Sequence, residues 1–568
     1  MMNMIQEILA RTRTDAFRDH LGDVLVKLCD VDTTPNPDVT RMRDAESAAF
    51  DIIEAELSRL GFPGARTERR AIDPAIAGHP AYSLLHFTRT ADRPEGLTPE
   101  EAYAGRSNLL YVVPGAGGGD GESVALNGHV DVIAPYVPPR VEGNVVHGRG
   151  SCDDKGPVTA ILAALRVVEE ILREAGQRLN RNVVCMFVVE EETGGNGSLS
   201  LALDHDLKKL YDSMIVLECT GNDIHPANRG AVWYRTELTY CGGSLLEMAA
   251  FVVEKMKREG RKIRAESRHK LFPQRPVQTC HGIIGPWGEH PSRICGEVAF
   301  RIAFERKPDT SVETLTQDCL KSAVEAYTRV YGDKTQATDP TTGRPKVERH
   351  YDVRSKARAF VVEVHGSTGH MGSIRENDCA ITKMAAMVRG LVDSREQLER
   401  AAGPMRLELV GQKDPVRLVL EGGQGFVPTH GIQEVMVRMR GAAQKGAEAY
   451  LGRIGKKASA AEAVHTTYDK LHNDAFNGDP NSPAMQNAVA AARACGMWRD
   501  QPIVGWTVSC DARLFAGEYP GMPVLTSGPG RLAHAHSDDE QLDLEEIRRC
   551  VEFLAIYILN ATATLKEC

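Results

Sequence analysis

The sequence predicts an α/β protein: a mixed, largely parallel sheet covered by helices, interrupted by a smaller α+β region. Three observations predict it. Strand-like runs alternate with helical runs between residues 62 and 217, an order that buries a sheet on both faces. Between about Trp233 and Tyr450 the order strand–helix–strand–strand–helix occurs twice. Strands in the first and last sections run into His, Asp or Glu at their carboxyl ends, where open α/β sheets place their sites. A chain of 568 residues exceeds one ordinary core, so roughly two to four domains are expected.

Taken in order, the first sixty residues are helical. Leu21, Val24, Leu25 and Leu28 recur at three- and four-residue spacing, and Gly61 stops a second helix, Asp44 to Leu60. Short β-like runs follow at Tyr82 to Phe87, Asn108 to Val113 and Val124 to Leu126. The stretch Gly115 to Gly121 opens no helix and reads as a surface turn. A helix at Val158 to Glu174 precedes apolar strands at Val183 to Val189 and Met214 to Leu217. The first repeat of the middle region has a strand (234–240), a helix (245–258), two strands around 282–305 and a helix (312–330). The second has a strand (359–365), a helix (380–392), two strands around 407–440 and a helical run to Tyr450. The residues between them, Tyr331 to Lys356, have a linker's composition. The expected organisation is a first catalytic part (1–232), an inserted lid (233–460, copies near 233–330 and 358–450) and a second catalytic part (461–568). That last part carries a helix at Pro483 to Cys495, a strand at Val524 to Ser527 and a final helix from Leu544.

Composition excludes several classes. Hydrophobic content of 42% and charged content of 26% are those of a globular protein, and the net charge of −9 with no basic block argues against nucleic acid. Thirteen Cys without a C-x-x-C pair favour reduced thiols in a cytoplasmic protein. The first residues contain Glu7 and Asp15 and no apolar core, so no signal peptide is expected. No apolar run is long enough for a membrane span.

The residues at the strand ends carry the chemistry. VALNGHVD places His129 and Asp131 two apart on an extended segment, hence on one side, as a metal-bound imidazole and its supporting carboxylate require. A core histidine and a helix-capping Asp pair are the alternative at this stretch. Asp153 and Asp154 stand at a loop-to-helix junction, and Glu190, Glu191 and Glu192 close an apolar strand. Three consecutive acids repel one another unless a cation relieves them or a helix N-terminus solvates them. Glu218 ends another strand, and His534, His536 and Glu540 follow the last one.

The ordered motifs GHVD, GRGSCDDKG, EEETGGNG, LECTG and HSDDE resemble the M20 family of co-catalytic zinc peptidases and amidohydrolases, over roughly residues 20–235 and 465–568. The resemblance implies a zinc-exopeptidase-like catalytic domain with an inserted lid. It also implies two divalent metal ions per chain, zinc first, with cobalt or manganese as substitutes. By that pattern His129 and Glu218 bind one ion, Glu192 and His536 the other, and Asp153 bridges them. Asp131 orients His129, and Glu191 is the general base. Glu192 is preferred as ligand because glycines follow at 194 and 197, and His536 over His534 because an acid follows four residues on. The loop Gly366 to His370 matches the family's Gly-x-x-x-His, so His370 is the expected oxyanion donor, and His365 a structural residue. Arg513, in SCDAR, matches an arginine that binds a substrate carboxylate, or else pairs with Asp511. Gly422, Gly423 and Pro428 echo a family turn, but its usual Asn is absent.

The implied reaction is hydrolysis of an amide bond in an N-acyl amino acid or short peptide bearing a free carboxylate. Decarbamoylation, deamination and a non-enzymatic binding protein that kept the fold are the alternatives. A duplicated lid would let one chain act as a monomer, with a homodimer as the alternative. The expected partner is a small substrate, with neither nucleic acid nor membrane.

Overall fold

The computed structural model describes residues 2–118, 120–338, 343–414, 416–468 and 472–564. The glycine-rich turn and the linker read from the sequence each include residues outside this set, Gly119 and 339–342. The chain divides into two compact units: residues 1–230, 268–274 and 470–568 form one, and 231–267 and 275–469 the other. Among the described residues no helix is long and apolar enough to cross a membrane.

The first unit opens with helices α1 (Met2–Thr12), α2 (Asp15–Cys29) and α3 (Val39–Leu57). Thr14 caps α2 by accepting from the Phe17 amide, and Asp38 caps α3 by accepting from the amides of Thr40 and Arg41. Strand β1 is Arg66–Ala71, a segment of alternating charge with no apolar signal. The expected strand at Tyr82 to Phe87 does not form; that stretch runs irregularly into a short 3-10 turn, His86–Thr88. Edge strands tolerate charged side chains because only one of their sides is paired, which is why β1 escaped an apolar-pattern reading. Then come β2 (Ser107–Val113), β3 (Val124–His129), α4 (Lys155–Glu174), β4 (Val183–Val188), α5 (Asn196–Ala202) and β5 (Ser213–Leu217).

The second unit begins with β6 (Gly230–Thr239) and α6 (Leu245–Glu266), followed by β7 (Thr279–Ile284), β8 (Glu297–Phe304) and α7 (Thr310–Tyr331). After β9 (Tyr351–Lys356) come β10 (Ala359–His365), α8 (Ala380–Asp393), α9 (Arg395–Ala402), β11 (Met405–Leu409), β12 (Arg417–Phe426), α10 (Ile432–Arg453) and β13 (Val464–Thr467). The order β6-α6-β7-β8-α7 is repeated by β10-α8-β11-β12-α10, with α9 added. The strands do not stay within their own repeat. One sheet runs β7-β12-β6-β13 and the other β9-β10-β8-β11. The third strand of each repeat is therefore inserted between the first two strands of the other. β8 pairs antiparallel with both β10 and β11, and β12 pairs antiparallel with β7. Helices α6 and α8 pack together, α6 also against α10 and α8 against α7.

The chain then returns to the first unit with α11 (Pro483–Ala494), α12 (Ala512–Glu518), β14 (Val524–Ser527) and α13 (Leu544–Ala561). β14 completes a six-stranded sheet, β1-β2-β4-β3-β5-β14. β4, β3, β5 and β14 are parallel, while β1 and β2 form the antiparallel edge. Helices α4 and α13 pack on one another against this sheet, with wholly buried faces such as Val158, Ile161 and Leu165 on α4 and Ile547, Val551 and Leu554 on α13. Every residue of β3, β4, β5 and β14 is buried, as strands covered on both faces must be. Four parallel strands thus present their carboxyl ends on one edge.

Candidate metal centre

That edge collects the acids and imidazoles. At the end of β3, His129 Nε2 lies 3.1 Å from Asp153 Oδ1, and its Nδ1 lies 3.0 Å from the backbone carbonyl of Asp131. The Asp131 carboxylate is farther from Nδ1, at 3.5 Å. Its shorter bonds go elsewhere: Oδ1 accepts from the Glu191 amide at 3.1 Å and Oδ2 from the Glu192 amide at 3.0 Å. Asp131 therefore holds His129 mainly through its main chain, and ties the acidic turn after β4 through its side chain.

At this end of the sheet, two groups of ligand-type atoms lie close enough to share an ion each. His129, Asp153, Asp154 and Glu218 make one, and Asp153, Glu192 and His536 the other; within each group the atoms lie within 4.8 Å of one another. Asp153 belongs to both. Its Oδ2 is 3.4 Å from His536 Nε2, which is 2.8 Å from Glu192 Oε1. His534 is in neither group; its Nδ1 faces Gln541 Nε2 at 3.4 Å. The backbone of His536 is left-handed, with φ of 61°, and its ring is buried against Glu192 and Asp153. The structure brings together all the sequence-derived ligands, His129, Asp153, Glu192, Glu218 and His536, and adds Asp154, whose signal was the doubled Asp at the helix start.

The local sequence explains the closeness. Gly128 lies under the site, where a Cβ would stand 3.1 Å from Asp154 Oδ2 and 3.2 Å from Val158 Cγ2. Asp154 Oδ2 accepts the His129 amide at 3.1 Å, and the Asp153–Asp154 peptide is cis. Glu540 Oε1 accepts the amides of Gly150, Cys152 and Asp153 at 3.0, 3.2 and 3.1 Å, and its other oxygen pairs with the buried Arg149. The acid four residues after His536 thus shapes the loop that carries Asp153.

The electrostatics fit cations. Burial and then the surrounding carboxylates push Glu218 and Asp154 well above the usual carboxylate range; for Glu191 the chief neighbour is Asp511. Burial alone would raise Asp153 too, but hydrogen bonds and charge from His129 and His536 hold it below its ordinary value. Burial opposes protonation of His536, yet Glu192 and Asp153 lift it to about 9. Asp154 Oδ1 is buried without a hydrogen-bond partner. So many buried acids beside two imidazoles bind protons avidly unless divalent ions take their place.

The remaining candidates are placed as follows. Arg513, on α12, donates through Nη2 to the Gly194 carbonyl at 3.0 Å, and its buried Nη1 has no hydrogen-bond partner. Asp511 precedes α12 and fills the space beside Gly195, where a Cβ would come within 2.3 Å of Asp511 Oδ1. Gly195 has φ of 76°, so glycine is required there on both counts. His370 lies in the second unit, buried at the start of a 3-10 turn, and its Nδ1 accepts from the Gly372 amide at 2.9 Å. His365 pairs with Asp352 at 3.0 Å.

A mostly parallel sheet whose strand ends hold two ligand groups joined by one aspartate has the donor set of a dinuclear metal site. Residues 125–560 match the peptidase family M20/M25/M40, and the chain belongs to that family. Among curated proteins, a putative [LysW]-lysine/[LysW]-ornithine hydrolase of Pyrococcus abyssi is 40% identical over 83 residues, 15% of this chain and 21% of that protein. The N-formyl-4-amino-5-aminomethyl-2-methylpyrimidine deformylase of Bacillus subtilis is 24% identical over 264 residues, 41% of this chain and 58% of that one. The matched regions thus span less than two thirds of these relatives. Human carnosine dipeptidase 1 shares the fold over 99% of this chain and all of its own, with a TM-score of 0.55 at 13% identity. The dipeptidase Dug1p of Saccharomyces cerevisiae does so over all of both chains, with a TM-score of 0.55 at 14% identity.

Proposed function

We propose that this protein is a metal-dependent hydrolase that cleaves the amide bond of an N-acyl amino acid or short peptide carrying a free carboxylate. The observation that carries the reading is Asp153, which belongs to both ligand groups, with Glu191 on the adjoining turn. His129 and Glu218 would hold one ion, Glu192 and His536 the other, and Asp153 both. A pair of divalent ions, zinc first and cobalt or manganese as substitutes, supplies Lewis acidity for a carbonyl and for water.

The chain's own residues do the rest. Asp131 fixes the imidazole of His129 and the amides of Glu191 and Glu192, so the ligands and the base share one anchor. Glu191, raised by burial and by Asp511, is suited to take a proton from water and return it to the leaving amine. Arg513, with one nitrogen unengaged, would receive the substrate carboxylate. His370 would donate to the oxyanion, a role that rests on the resemblance of its loop. The repeated, strand-exchanged second unit supports activity as a monomer.

The test is a screen of N-acyl amino acids and dipeptides with zinc, cobalt and manganese, alongside metal analysis and light scattering. The reading expects about two ions per chain and hydrolysis of at least one carboxylate-bearing substrate. A protein that binds no ions and hydrolyses none would be a binding protein on a hydrolase fold.

A further inference from the structure

Glu190, Glu191 and Glu192 are consecutive, yet they do not alternate as residues leaving a strand would. Continued as a strand, the chain would send Glu190 and Glu192 to one side and Glu191 to the other. Instead Glu190 is left-handed, with φ of 66°, and the amides of Glu191 and Glu192 both reach the one Asp131 carboxylate. A residue with a Cβ holds such a conformation only when its surroundings impose it.

The surroundings of Glu190 do so. Its carboxylate is buried, and one oxygen pairs with Arg106 Nη1 while the other accepts from the Tyr103 hydroxyl at 3.0 Å. Arg106 is itself buried and donates through Nε and Nη2 to Glu46 on α3, at 2.9 and 2.5 Å. The Tyr103 hydroxyl accepts from Asn196 Nδ2 at 2.8 Å, and the Glu190 carbonyl accepts the Gly195 amide at 2.5 Å. Two carboxylates share one guanidinium, with Tyr103 and Asn196 completing the hydrogen bonds. Glycine or asparagine would take this turn with less strain. An acid is used here for its carboxylate.

We propose that Glu190 is a positioning residue. Anchored by Arg106, Tyr103 and, through Arg106, Glu46, it breaks the strand alternation so that Glu191 and Glu192 both face the metal centre. A third tie closes the same turn, Arg513 Nη2 on the Gly194 carbonyl. The kinetic side of this inference rests on the hydrolase reading; the metal-ligand side does not.

The experiment uses Glu190→Gln and Arg106→Lys in the full chain, with zinc for kinetics and cobalt for visible spectra. Each variant should lower kcat by about ten- to hundredfold, as a misplaced base does, with KM within about threefold and ion content unchanged. The cobalt spectrum should change with Glu192 displaced. The double variant should be no worse than the worse single one, since both break one brace. A folded Glu190→Gln protein with wild-type kcat and wild-type cobalt spectrum would overturn the proposal. If Glu190→Gln fails to fold, Tyr103→Phe removes one hydrogen bond of the brace and is judged by the same two measures, with wild-type values overturning the proposal. If the wild type hydrolyses nothing, the hydrolase reading fails by itself, and the cobalt spectra of wild type and variant decide the positioning role alone.

Discussion

The metal centre of the first unit and an ion pair of the second both bury charge, and they do it differently. In the second unit Asp378 and Lys383 are almost wholly inaccessible, 2.6 Å apart, and the Tyr327 hydroxyl donates to the other Asp378 oxygen at 2.5 Å. The pair is electrically closed by residues of the chain. In the first unit five acids, Asp153, Asp154, Glu191, Glu192 and Glu218, crowd two imidazoles, His129 and His536. The first arrangement completes a fold. The second leaves a deficit of positive charge that only an ion or protons can fill, and that imbalance marks it as a site.

The sharpest way to break this contrast is Asp153→Ala. Without the carboxylate common to both groups, both ions should be lost together and hydrolysis should fall to background, read by metal analysis and by assay. One ion still tightly held would show that Asp153 is not shared. Glu191→Gln comes next. It should retain both ions while kcat falls by about 10²- to 10⁴-fold, the range of a lost acid–base step. Equal metal loss in Glu191→Gln and Glu192→Gln would reverse the two assignments.

Asp378→Ala should do the opposite, leaving metal content alone and costing about 3–5 kcal/mol in denaturant unfolding, because Lys383 is left buried and uncompensated. Loss of ions in that variant would mean that the two charge clusters are not independent. The smallest effect is in pH. With ions removed, His536 at about 9 is raised above its unfolded value, and so are the carboxyls of Glu191, Glu192 and Glu218. Groups raised on folding stabilise below their unfolded pKa and lose that contribution as pH rises through the folded value. Metal-free protein should therefore lose stability between pH of about 6.5 and about 9, and saturating zinc should remove that slope. A metal-free melting temperature that is flat across this window would contradict the picture of a site short of positive charge.

Much of the fold and of the candidate site was legible because the signals are local. Apolar runs of strand length, punctuated by Gly and followed by His, Asp or Glu, place β3, β4, β5 and β14 and their terminal residues with no knowledge of what they pack against. The repeated strand–helix–strand–strand–helix order is likewise a matter of periodicity within each segment. β1 was missed because a charged edge strand carries no apolar period, and the strand expected at Tyr82 to Phe87 gave way to irregular backbone.

What the sequence by itself determined was which residues could bind an ion and which strand each one ends. Tertiary structure alone decided that Asp131 spends its carboxylate on the amides of Glu191 and Glu192. It also decided that the third strands of the repeats change places, and that Glu190 looks away into Arg106. The physical reason is common to all of these. A left-handed residue, a strand's choice of neighbour and a hydrogen bond across 60 residues or more are settled by packing between distant segments, and no local pattern carries that information.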